Sequence, residues 1–217
     1  MAEPRMQAFN SSLLPGISNI LGVRIPRLRA LAKEIIASGD FSILHSDEEA
    51  QSMEENMLRG MLIGYLPKRF DIENRFALLQ RFVPNIDNWS VCDSCCATYK
   101  FVRTDLERTW HFLQPYLHSA LEYEARFGMV MLINHFVKDE EWPPLIIQAL
   151  QAVRAKGYYA SRAAAWCMCE LYLQYPELAQ LQVPPHSTLR EDIAALTLRK
   201  IRESQRKHAV NFRNIQA

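Results

Sequence analysis

What is scarce in this chain excludes more than what is common. Only seven of its 217 residues are glycine, and alternating β-branched patterns are almost absent, which argues against a sheet. No apolar run reaches the roughly 18 residues that a membrane span needs. The start, MAEPRMQAFNSS, lacks the apolar core of a secretory leader, so secretion is not expected. There is no Walker loop, no GxGxxG, no GxSxG and no HExxH. P-loop NTPases, dinucleotide enzymes, α/β-hydrolases and zincins therefore drop out.

An excess of one charge is also missing. Lys and Arg number 25 against 24 Asp and Glu, for a formal net charge of +1. The distribution says more than the sum. From Ser187 onward seven basic residues (Arg190, Arg199, Lys200, Arg202, Arg206, Lys207, Arg213) face three acids (Glu191, Asp192, Glu203). A basic end on a near-neutral body suits a polyanion footprint, and equally a solvated helix of mixed charge. The five cysteines, at 92, 95, 96, 167 and 169, are an odd set in two clusters. They fit a reduced cytoplasmic setting better than a disulfide framework. Neither CDSCC nor CMC has the knuckle spacing of structural zinc. CDSC also lacks the βαβ setting of a redox CxxC, so the thiols read as small buried hydrophobes. The histidines form no ligand pattern, and His135, on an apolar helix, reads as a satisfied core residue.

What is there is helical periodicity, nearly throughout. Pro26 opens RLRALAKEIIAS and Gly39 stops it, the usual places for those residues. Ser46–Asp47 then caps a helix over EEAQSMEENMLRGMLIGYL that Pro67 ends. DIENRFALLQRF follows, closed by Pro84, and Asp87 or Asn88 opens NWSVCDSCCATYKFV. Thr104 starts DLERTWHFLQPYL, and SALEYEARFGMVMLINHF comes next. Pro143 and Pro144 open LIIQALQAVRAKG, Gly157 precedes YYASRAAAWCMCELYLQYP, and a last helix runs from about Ser187 to Lys207. Helix pairs recur at roughly 35–40 residues, a spacing suited to stacked pairs of the HEAT or armadillo kind. The expected fold is all-α, one domain over 1–217 of HEAT-like repeats curved around a concave face. A compact non-solenoid helical domain is the alternative. Residues 1–20 read as a short segment without a helix, FNSSLLPGISN being a poor helix former, and 206–217 as a basic tail.

Three segments carry side chains suited to chemistry. In NWSVCD, Trp89 and Asp93 fall one turn apart on the same helical face. Arg126 stands near the start of an otherwise apolar helix. Trp166 follows a run of alanines, with Arg162 one turn earlier. Singly, each has a plain explanation: a tryptophan in the core, an aspartate as an exposed cap. Together on alternate helices of a stack they are expected to face one concavity. Two indoles, a carboxylate and an arginine suit a cationic planar ligand beside a phosphate, since indole faces attract cations by roughly 0.5–2 kcal/mol and arginine forks a phosphate.

These segments resemble the AlkD-type DNA alkylation repair enzymes, bacterial DNA glycosylases built of HEAT-like repeats. LGVRIPRLRALAKEI (21–35) is similar to that family's early helix, and Trp89-x-x-x-Asp93 to its aromatic and catalytic carboxylate. Arg126 in EARFGMVML and RAAAW before Trp166 are similar to the segments bearing its arginine and second tryptophan. The resemblance runs over roughly residues 9–205 and is to a short branch with a reduced N-terminus. It implies hydrolysis of the N-glycosidic bond of cationic N3- or N7-alkylated purines in duplex DNA. Catalytic roles would fall to Asp93, Trp89 and Trp166, and DNA contacts to Arg126, Arg162, Lys200 and Arg202. It also implies no metal or organic cofactor, no membrane partner, a monomer, and a cytoplasmic, nucleoid-associated setting. A non-catalytic HEAT-repeat DNA-binding scaffold and a helical protein-interaction module are the rival readings.

Overall fold

A computed structural model of the chain describes residues 2–46, 48–182 and 186–204. Regular structure among these residues is helical, without a strand. The chain divides into two compact units, Met1–Asp105 and Leu106–Ala217.

The first unit contains α1 (Pro4–Leu13), α2 (Ile25–Ser38), α3 (Ser42–His45), α4 (Met53–Tyr65), α5 (Ile72–Phe82) and α6 (Trp89–Cys96). Short 3-10 turns follow α5 at Val83–Asn85 and α6 at Lys100–Thr104. In MLRGMLIGY apolar residues occupy most sides of the helix, and such a helix has to be enclosed. Met57, Met61, Leu62 and Ile63 are accordingly buried, and α4 packs against α2 on one side and α6 on another. α6 contributes Val91, Cys92, Cys95 and Cys96 to this core, and the Cys95 thiol donates to the Met57 carbonyl at 3.3 Å. The cysteines are thus buried free thiols, as their grouping suggested.

The LGVR segment is wrapped around an acid. Glu54, 2 % exposed at the start of α4, accepts the backbone N–H groups of Leu21, Gly22 and Val23 at 2.9, 2.7 and 3.2 Å. A carboxylate on the positive end of a helix, with three N–H donors, is well compensated despite its burial. Gly22 has φ of +83°, and a side chain there would meet the backbone of Glu3 and Gln7. Only glycine suits that point.

The second unit contains α7 (Leu106–Leu117), α8 (Glu122–His135), α9 (Pro143–Gln151), α10 (Tyr158–Gln174), α11 (Pro176–Ala179) and α12 (Glu191–Glu203), with a 3-10 turn at Gln180–Gln182. α10 packs against α8 on one side and α12 on the other, while α7 pairs with α8. α10 earns its central place through Ala160, Ala163, Ala164 and Ala165, whose small side chains let neighbours approach, and all four are buried. His135 is buried in α8, where an apolar helix was expected to hold it.

Several expected boundaries are corrected. Pro4–Leu13 is a helix, although the N-terminal segment read as having none. α1 buries no residue, so periodicity could not announce it. It is tied down instead by polar contacts: Glu3 N–H to the Gly22 carbonyl at 3.1 Å, Gln7 Nε2 to the Ile20 carbonyl at 2.7 Å, and a Glu3–Arg24 ion pair at 2.8 Å. α4 begins at Met53, not after Ser46–Asp47, because Ser52 is its cap and accepts the Glu55 N–H at 3.1 Å. Asp47 lies outside the described residues, and α3, just before it, was not foreseen. α6 stops at Cys96, where the Thr98 hydroxyl takes the Cys95 carbonyl at 2.7 Å. α7 starts at Leu106, past Thr104. α9 ends at Gln151 rather than running to Gly157, since Arg190 Nη1 donates to the carbonyls of Val153 and Ala155 at 3.4 and 2.8 Å. α12 begins at Glu191 and ends at Glu203; the tail with Arg206, Lys207 and Arg213 lies outside the described residues.

Candidate functional site

The carboxylate stands on α6. Asn88 caps that helix, accepting the Val91 N–H at 3.0 Å, and is held by donating to Asp87 at 2.7 Å. The cap fixes Trp89 as the first helical residue and Asp93 one turn later. Both side chains are half-buried, whereas Val91, Cys92, Cys95 and Cys96 of the same helix are buried. The Trp89 indole N–H donates to the Leu13 carbonyl at the end of α1, at 3.3 Å. That bond runs between residues 76 apart in sequence, and it fixes the indole while leaving part of its ring open. Beneath Asp93 the Cys96 thiol is pushed well above its ordinary range by burial, then by Cys92 and by the Asp93 charge. The Cys96 thiol therefore stays protonated and serves as packing, not as a nucleophile.

A hollow of about 560 Å³ also belongs to the first unit, with Asn56, Arg59, Arg81 and Asp87 in its wall. Neither Trp89 nor Asp93 lines it. The Arg59 guanidinium there is already engaged by Glu55 at 2.6 Å and by the Glu48 carbonyl at 2.6 Å.

The cations stand in the second unit. Arg126 of α8 is only 7 % exposed, and its Nη1 donates to the Tyr159 carbonyl at 3.0 Å, so part of its fork serves the fold. Arg162 of α10 is half-buried, its guanidinium 5.2 Å from the centre of the Tyr158 ring. Lys200 of α12 is half-buried, and Arg202 is exposed. Burial holds the Lys200 ammonium below the ordinary lysine range, and the positive charges of Arg162 and Arg126 push it further the same way. Arg162 and Arg126, from two other helices, are thus near enough to act on Lys200, and the Glu203 carboxylate acts on it in the opposite sense. Trp166, two turns beyond Tyr158 on α10, is half-buried with its indole N–H donating to Glu170 at 3.1 Å.

The start of α10 is closed to anions. Glu122 of α8 accepts the Tyr159 N–H there, and a side chain at Gly157 would collide with the Glu122 carboxylate. Sequence reasoning missed Glu122, Tyr158 and Tyr159. The repeat of Tyr158, Arg162 and Trp166 at four-residue steps was the available signal, since it places all three on one stripe of the helix. Among the described residues no helix is long and apolar enough to cross a membrane.

Trp89 and Asp93 therefore lie together in one unit, and Arg126, Arg162, Trp166, Lys200 and Arg202 in the other. No curated protein and no solved structure matches the chain. One family model does, over residues 2–187, and it is described as DNA alkylation repair enzyme. That span takes in α1 to α11 and includes Trp89, Asp93, Arg126, Arg162 and Trp166. The chain belongs to the DNA alkylation repair enzyme family.

Proposed function

We propose that this protein is a DNA glycosylase that hydrolyses the N-glycosidic bond of cationic N3- or N7-alkylated purines in duplex DNA. The observation that carries this reading is a half-buried carboxylate, Asp93, one helical turn from a half-buried indole, Trp89, in a chain of a DNA alkylation repair family. Alkylation makes the base a cation, so it leaves as a neutral molecule and needs little activation. As the bond from C1′ to the base nitrogen breaks, positive charge gathers on the sugar. The Asp93 carboxylate stabilises that charge and orients a water whose oxygen bonds to C1′ while its proton is released. Trp89 and Trp166 pack against the sugar and backbone of the lesion. Arg126, Arg162, Lys200 and Arg202 neutralise phosphates, which dominate the affinity of proteins for duplex DNA. The packing of alternate helices, α2 with α4 with α6 and α8 with α10 with α12, supports the HEAT-like part of the reading.

The test is release of 3-methyladenine and 7-methylguanine from methylated duplex DNA. Release by the wild type that disappears in Asp93→Asn is the expected result. Salt-sensitive duplex binding with no release at high protein concentration would move the chain to the scaffold reading, and absence of duplex binding would move it to the protein-interaction reading.

A further inference from the structure

The stripe of α10 that carries Arg162 starts with a residue the glycosylase reading does not use. Tyr158 is 62 % exposed, an unusual place for an aromatic ring at the first position of a helix. Its neighbours hold it in a built arrangement. Tyr159 packs edge-on against it at 5.1 Å between ring centres, and Tyr159 in turn stacks on Tyr123 of α8 at 5.8 Å with the planes 26° apart. Arg162 lies 5.2 Å from the Tyr158 ring centre. The ring is therefore backed by two further tyrosines and a guanidinium, yet most of its own surface is open.

The surroundings select the occupant. Arg162 and Arg126 are close enough for their charges to act on Lys200, and Arg199 stands near enough to feel Tyr158. Against them are Glu203, which pairs with Arg199 at 2.8 Å and also acts on Lys200 and Arg162, and Glu122, which caps α10. A flat, π-faced ligand attached to a phosphate answers both halves of this surface. A nucleobase stacks on an exposed aromatic ring whatever its sequence, and arginine behind the ring strengthens the stack and takes the phosphate. Bases inside a duplex do not present a face, so the ring serves only one that has left the helix.

We infer that Tyr158, backed by Tyr159, Tyr123 and Arg162, is a stacking platform for an unpaired nucleobase whose phosphate is taken by Arg162 and Lys200. The inference rests on the DNA-binding part of the proposed function and adds a preference to it: DNA in which bases are unpaired beside the bound segment is held more tightly than continuous duplex.

Fluorescence anisotropy on the full chain tests it, with a labelled duplex that is either fully paired or interrupted by two unpaired nucleotides. The interrupted duplex is expected to bind about five-fold tighter or more, in keeping with the stacking of a base on an aromatic side chain. Tyr158→Ala should bring the two affinities within about two-fold, and Tyr158→Phe should restore the difference, while binding of the paired duplex stays the same in all three proteins. Equal affinity of the wild type for both DNAs, or a preference that survives Tyr158→Ala, would overturn the platform and leave duplex recognition standing. Failure to bind either DNA would overturn both.

Discussion

Replacing Arg75 with methionine should unfold the first unit's central helix pair more easily than any surface change. Arg75 of α5 is 5 % exposed, and its guanidinium donates to the carbonyls of Ile63, Leu66, Pro67 and Phe70 at 3.0, 2.7, 2.9 and 3.0 Å. One side chain therefore satisfies the end of α4 and the turn into α5, where backbone acceptors have no helical partner. The charge also faces the negative end of the α4 dipole, and the Phe101 ring lies 4.8 Å away. Burial alone pushes the guanidinium below the ordinary arginine range, so the bonds work against a desolvation cost. Methionine keeps the apolar stem and removes all four bonds. Each stranded buried acceptor costs about 1–3 kcal/mol, but the Pro67 and Phe70 carbonyls are partly reachable by water. The net loss should be about 3–4 kcal/mol. Arg75→Lys should recover less than half of it, because an ammonium cannot reach four acceptors in a plane. Hydrogen exchange read by peptide mass locates the effect: amides of α4 and α5 lose protection, while those of α8 and α10 do not. A loss under about 1 kcal/mol in urea titration, or lost protection spread evenly over both units, would refute this role for Arg75.

Two further predictions concern caps and ion pairs. Ser52→Ala should cost about 1 kcal/mol, measured by urea titration, because its hydroxyl accepts the Glu55 N–H, whereas Ser46→Ala should cost little since that residue caps no long helix. In the second unit Asp192 is held below the ordinary aspartate range by its bond to Arg190 first, with the Ser161 hydroxyl adding to it. A depressed folded pKa means the stabilisation is fully present above the ordinary value near pH 4 and is lost as pH falls from there through the lower folded value. The Asp192 side chain is 47 % exposed, so solvent screening limits the gain to about 0.5–1 kcal/mol. The stability gap between wild type and Asp192→Asn should be of that size at pH 7, begin to shrink below about pH 4 and vanish only below the depressed folded value.

Much of the fold was legible because apolar periodicity and punctuation agree. Pro26 and Gly39 bracket α2, Asp71 and Asn88 cap α5 and α6 through side-chain bonds, and Gly157 precedes α10. The start of α4 was misplaced because two capping signals compete, Ser46–Asp47 and Ser52, and distant contacts decide between them. Met53 N–H donates to the Asn19 carbonyl at 3.1 Å, and Glu55 accepts the Gln51 N–H at 2.9 Å. The SMEE run, a capping box in outline, carried the correct signal. α1 was missed for a different reason, since its stability comes from polar contacts with residues 20–24 and not from a buried face.

The candidate site was legible to the extent that it is local. Trp89 and Asp93 share a face because they are four apart, and the intermediate burial of both agrees with that spacing. The bond from Trp89 to Leu13 joins distant parts of the chain, and no local pattern carries it. The burial of Arg126 was equally hidden, since its partner is the Tyr159 carbonyl on a different helix. The tyrosine platform was written in YYASRAAAW and passed over because tryptophan and arginine drew the reading.

The catalytic role proposed for Asp93 can be tested most directly by single-turnover base release from methylated duplex DNA, with wild type or Asp93→Asn in excess, paired with duplex affinity for the same two proteins. Asn in place of Asp93 keeps the shape and removes the charge that, on the proposed mechanism, stabilises the developing sugar cation. The expected result is release slowed by about 100-fold or more with duplex affinity within about three-fold of wild type. Release at the wild-type rate from Asp93→Asn would contradict the assignment of that carboxylate to the chemistry.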